Sequence, residues 1–120
     1  MNYEISIIQV IVENLIKAEF VFETTNSISR AFQVRVDFLD DTNQIQHTFT
    51  FFTTASTNNT NVVSNYTEVF QDNALNALKN TSILVFSLKM LPGVPINQNT
   101  IGRISVKSKA VFYFNIDNTL

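Results

Sequence analysis

The chain has 120 residues, with 8 Lys and Arg against 10 Asp and Glu, a formal net charge of −2 and no cysteine. That length suits one domain with its own apolar core, and a 45% hydrophobic content argues against disorder of the whole chain. The missing thiols exclude disulfides, thiol nucleophiles, iron–sulfur clusters and thiolate zinc sites, and the dispersed cations, of which Arg103, Lys107 and Lys109 are the closest group, make a weak footprint for nucleic acid.

Tyr3 to Val12 (YEISIIQVIV) opens the chain with a β-branched run that favours a strand. Its apolar parity switches between Ile7 and Ile8, which suggests a bulge or cover on both faces. Helical spacing of Ile8, Ile11, Val12, Leu15 and Ile16 is the rival reading. Ala18 to Thr24 predicts a second strand, with Phe20 and Phe22 in alternation. Arg30 to Leu39 is the cleanest strand: Phe32, Val34, Val36 and Phe38 share one face, and Gln33, Arg35 and Asp37 the other. Asp40 to Gln44 reads as a turn, and Ile45 to Thr54 as the hairpin partner, with Ile45, His47, Phe49 and Phe51 in phase. Phe52 is out of phase with Phe49 and Phe51, so one of these aromatics is expected to face away from that core.

Ala55 to Val63 is polar and is expected to be the most mobile loop. Asn65 with Glu68 fits a capping box, and a helix is predicted over Tyr66 to Lys79. Its buried stripe would be Phe70, Ala74, Ala77 and Leu78, with Glu68, Asn73, Asn76 and Lys79 facing water. Ser82 to Met90 is nearly continuous in apolar character, as a central strand is. Leu91 to Pro95 is a rigid bend. Ile101 to Val106 and Ala110 to Ile116 are strands, joined either as one long strand or as a hairpin around Lys107, Ser108 and Lys109. With only two Gly and two Pro in the chain, turns must use Asn, Asp, Ser and Thr. The expected fold is mainly β: a single domain over residues 1–120, an antiparallel β-sandwich or curled sheet with one α-helix, in the order β-β-β-β-α-β-β.

Few residues point to chemistry. His47 is the sole histidine, and a pairing with Asp37 across the hairpin is conceivable, yet a lone strand histidine is more often a half-exposed cross-strand residue. Asp37, Asp40, Asp41 and Asn43 could offer oxygens to Ca²⁺, but the spacing does not match an EF-hand and suits a solvent-exposed turn better. Gly93 and Gly102 belong to no phosphate-cradling motif, and no GxSxG, HExxH or SxxK occurs. The sequons at Asn58, Asn65 and Asn80 match chance in so Asn- and Thr-rich a chain. No catalytic, cofactor-binding or metal-binding residue is expected, and an enzyme is the least supported class.

What stands out is the surface. Charged residues are 15% of the chain, against about 25% in an average domain, and 43 of the 120 residues are Asn, Thr, Ser or Gln. Such a surface repels copies of itself weakly. The leading expectation is a non-catalytic structural or protein-interaction subunit that forms a homo-oligomer or joins a larger complex, such as a virion, tail, appendage or secretion apparatus. The partner surface is expected at Tyr3–Val12 or Ala110–Ile116, where apolar side chains occur at both parities, and not at the Ala55–Val63 loop. The alternative is a small apolar-ligand-binding protein, since eleven phenylalanines could line a cavity. Nucleic acid is not expected, because the cations are few and scattered, nor is membrane insertion, because no apolar run reaches about 18 residues. Synthesis in a cytoplasm without a signal peptide is expected, with incorporation into a particle in the assembly reading.

Overall fold

The computed structural model describes residues 2–6, 14–97 and 100–115. The described residues form seven strands and one helix: β1 (Asn2–Ser6), β2 (Leu15–Asn26), β3 (Phe32–Leu39), β4 (Ile45–Thr53), β5 (Val62–Gln71), α1 (Ala74–Lys79), β6 (Ile83–Met90) and β7 (Ile104–Phe114). They form a four-stranded sheet, β1-β6-β3-β4, and a three-stranded sheet, β5-β2-β7. Every pairing is antiparallel. The mainly-β class, the antiparallel two-sheet architecture and the single helix agree with the sequence reading. The predicted first strand is seen as far as Ser6; its remainder, with the parity switch and the rival helical spacing, lies outside the described residues, as does Ile116.

The alternation in β3 is realised as read. Phe32, Val34, Val36 and Phe38 are buried, and Phe51 of β4 faces the same interior. Across the gap β2 contributes Leu15, Ala18, Phe20 and Phe22, and β6 adds Leu84 and Phe86. Phenylalanine rings fill the space between the sheets. Phe20 meets Phe38 edge-on at 5.4 Å, and Phe22 meets Phe86 at 5.8 Å and Phe51 at 5.9 Å. Such ring pairs add about 0.5–1.5 kcal/mol each beyond area burial. Phe52 points out and is 59% exposed. Ile45 is exposed too, contrary to its phase, because a register shift at the Phe38/Leu39 end of the hairpin takes it off the inner row.

The largest correction concerns residues 62–73. The predicted helix over Tyr66–Lys79 is α1 in its last six residues alone; the stretch before it is β5. Val62, Val63, Thr67 and Val69 are β-branched, and β5 pairs with β2 over ten residues, so the ladder outweighs helix propensity. The Asn65–Glu68 capping box does not form: both residues lie in the strand, and α1 begins at N-cap Asn73 with no side-chain cap. Of the predicted stripe, Phe70 and Leu78 are buried and Ala74 and Ala77 half-buried, with Leu75 buried beside them. Asn73, Asn76 and Lys79 face water as expected, but Glu68 turns inward.

Turn chemistry follows the composition. Among the described residues the non-glycine positions with positive φ are Asn43, Asn58, Asn59 and Asp72, the residue types that tolerate the left-handed region. The Thr54–Asn61 loop is anchored at its base. Ser56 is buried, its N–H donates to the Ile28 carbonyl at 2.9 Å, and its hydroxyl donates to the Thr60 carbonyl. The bend after β6 is held by Arg30, whose guanidinium donates to the carbonyls of Leu91 (2.6 Å) and Val94 (3.2 Å). The open choice at Lys107–Lys109 resolves as one long strand, β7.

Candidate interaction surface

The carboxylates read as a conceivable cation site do not converge. Asp40 Oδ1 accepts from the Thr42 N–H, the Thr42 hydroxyl and the Gln44 N–H, and Oδ2 accepts from Gln46. These bonds, the Gln44 N–H first, hold the Asp40 carboxyl below its ordinary pKa, and they make the group the cap of its own turn. Asp37 accepts from Arg35 at 2.9 Å and from Thr48 at 2.6 Å. Among the described residues no three His, Asp or Glu side chains are placed to share a metal ion.

His47 does not pair with Asp37. Its Nε2 lies 2.5 Å from Oε2 of Glu68, whose Oε1 accepts from the Tyr66 hydroxyl at 2.8 Å. Burial, then the Glu68 carboxylate, raises the Tyr66 phenol above its usual pKa. The histidine ring sits 4.8 Å from Phe70 and 5.8 Å from Phe38. Because β4 ends one sheet and β5 ends the other, this trio fastens the two sheets along one side. No nucleophile accompanies it, and its chemistry is that of a clasp. A double-mutant cycle between His47→Ala and Glu68→Ala should give a coupling of about 1–2 kcal/mol in urea unfolding, the size of a hydrogen bond to a charged group discounted for partial exposure. A coupling near zero would mean the two side chains act independently.

The opposite side of the sandwich is different. There the sheets end in β1 and β7, the two termini that the sequence marks as partner surfaces. Among the described residues, β7 pairs with β2 on one edge and with no strand on the other. The register places Ser108, Ala110 and Phe112 beside Phe22, Phe20 and Ala18 of β2, on the core-facing row, and Lys107, Lys109, Val111 and Tyr113 beside Glu23, Val21, Glu19 and Lys17 on the outer row. The β2 residues of the core-facing row are buried, yet Phe112 is 44% and Phe114 42% exposed, and on the outer row Val111 and Tyr113 are 38% and 41% exposed. Val106 near the start of β7 still packs against the core, but the burial of the core-facing row is lost toward Phe112 and Phe114. Tyr113 is the best anchored of the four: the Lys17 ammonium stands 5.2 Å from its ring centre, and its phenol beside Glu19, with Lys17, holds that carboxyl below the ordinary carboxylate pKa.

No family model matches the chain, and neither a curated protein nor a solved structure matches it. No described helix is long and apolar enough to cross a membrane.

Proposed function

We propose that this chain is a non-catalytic interaction subunit that associates with protein partners by adding a strand at the free edge of β7. The observation that carries the reading is the unbroken run Ala110–Phe114, exposed on both faces of a strand with one edge unpaired among the described residues. A bare edge offers its N–H and C=O groups to another chain, and natural edges are blunted by charge or proline. Lys107 and Lys109 blunt the first half of β7; nothing blunts the second. The sparse charge of the whole chain acts in the same direction, because little long-range repulsion opposes association. A particle or appendage is the setting this chemistry suits. The ligand-binding alternative has no observation in its favour, since the phenylalanines meet one another between the sheets.

A photo-crosslinking residue at position 111, expressed in the source cells, should form covalent adducts with protein, and the same residue at Thr57 in the loop should form few. Adducts from position 57 and none from position 111 would overturn the assignment of the surface.

A further inference from the structure

We infer that the partner at this edge is a second copy of the chain, paired β7 to β7 about a two-fold axis at Ala110; this deepens the proposed interaction role and rests on it. The strand is self-complementary about that residue. Antiparallel pairing centred there sets Ala110 against itself, Ser108 against Phe112 and Val106 against Phe114 on the core-facing row. On the outer row it sets Lys109 against Val111 and Lys107 against Tyr113. Small residues thus meet large ones on the core-facing row, and the smallest lies on the axis, where any side chain meets its own copy. Directly opposed residues are the unit of sheet stabilisation, and like charges there are unfavourable.

The lysines select the register. Centres at 107, 108 or 109 place lysine directly against lysine, whereas a centre at Ala110 places none. It also puts Lys107 on Tyr113 of the second copy, repeating the Lys17–Tyr113 pair that β2 and β7 already make. The resulting six-stranded sheet, β5-β2-β7-β7-β2-β5, has no bare β7 edge left.

The area sets the strength. Four large side chains, each about 40% exposed, offer roughly 300 Å² per copy if a full aromatic side chain presents about 200 Å². A stable interface buries about 800 Å² per partner. The pair is therefore weak, and forms in the upper micromolar range or when many copies are held together.

The chain has no cysteine, so single cysteines report the register directly. Opposed Cβ atoms lie about 4.5–5.5 Å apart in an antiparallel pair, close to the roughly 4 Å that a disulfide needs. Ala110→Cys should oxidise to a covalent dimer at high micromolar concentration. Ser105→Cys, exposed on the same strand, should not. Ser108→Cys should link to Phe112→Cys in a mixture but not to itself. In sedimentation equilibrium the wild-type mass should rise with concentration, and Val111→Lys should abolish the rise. That variant keeps its fold because the new lysine faces Glu19 within the chain, while in the pair it faces Lys109 of the second copy. Self-linking of Ser108→Cys would overturn the register. A strict monomer with no Ala110→Cys dimer would overturn self-pairing; if position 111 still forms photo-adducts with other proteins, the interaction surface stands and the second copy falls.

Discussion

Phe70→Ala should lower the unfolding free energy by about 3–5 kcal/mol, the usual cost of deleting a fully buried aromatic ring, while Asn76→Ala on the exposed side of α1 should change it by a few tenths at most. Phe70 is wholly buried. Its ring lies 5.1 Å from Phe38 of one sheet, 5.6 Å from Phe20 of the other and 4.8 Å from His47. It is the last inward residue of β5 before the chain turns at Asp72 into α1, so it joins both sheets where the helix closes the end of the sandwich. Removing the ring forfeits transfer free energy and leaves a void that three rigid aromatic neighbours cannot collapse to fill. Urea unfolding by far-UV circular dichroism measures both variants. Equal losses at the two positions would mean that the phase of β5 and α1 is misassigned.

Phe70 also shows why the fold was legible in part. Tyr66, Phe70, Ala74 and Leu78 recur every four residues, which is one face of a helix and equally one face of a strand, since four is a multiple of two. Apolar spacing alone therefore cannot separate the two states across 66–71, although it identifies Phe70 as buried in both. The discriminating residues are the β-branched ones at 62, 63, 67 and 69, whose preference is for the pleated ladder. The β3–β4 hairpin carried no such degeneracy: strict alternation over eight residues, a turn of Asp and Asn, then a second alternating run. For β7 the apolar pattern fits one long strand or a hairpin equally. Lys107-Ser108-Lys109 holds no Gly, Asn or Asp to make a tight turn, and that absence was the available signal.

Of the site, the exposed β7 run was legible because Val111, Phe112, Tyr113 and Phe114 occupy consecutive positions, and one face of one sheet cannot take both parities. The His47–Glu68 clasp was not. The partners are 21 residues apart and on different sheets, and their meeting depends on which edge strands adjoin. A trace existed: in strand phase Glu68 falls between Tyr66 and Phe70 on the inward row, and an inward carboxylate demands a donor. His47, in phase with Phe49 and Phe51, is the one titratable donor on an inward row of β4.

Asn26→Ala should cost about 2–4 kcal/mol, more than any other single polar truncation in the described structure. Asn26 is the last residue of β2 and is fully buried. Its Nδ2 donates to the carbonyls of Arg30 (2.8 Å) and Thr54 (3.0 Å), and its Oδ1 accepts the Ile28 N–H at 2.9 Å. One amide thereby satisfies three backbone groups, from the turn between β2 and β3 and from the residue that follows β4. The neighbouring Ser27 exchanges backbone and side-chain bonds with Arg103, the residue before β7, so this end of the sandwich is tied through two adjacent residues. Alanine removes both sides of the amide from two carbonyls and one N–H; an unsatisfied group costs about 1–3 kcal/mol where water cannot reach it, and because these three bonds are only partly buried the total stays well below three full penalties. Asp offers the acceptor but no donor and adds a charge at a buried position, so Asn26→Asp should be at least as damaging at neutral pH. Chemical denaturation gives the size of the loss. Amide exchange gives its place: protection should fall first at Ile28 and Ser56 while the Val34–Phe38 amides of β3 stay protected. A cost under about 0.5 kcal/mol would show that water replaces the amide without penalty, and that the three bonds do not organise this end of the fold.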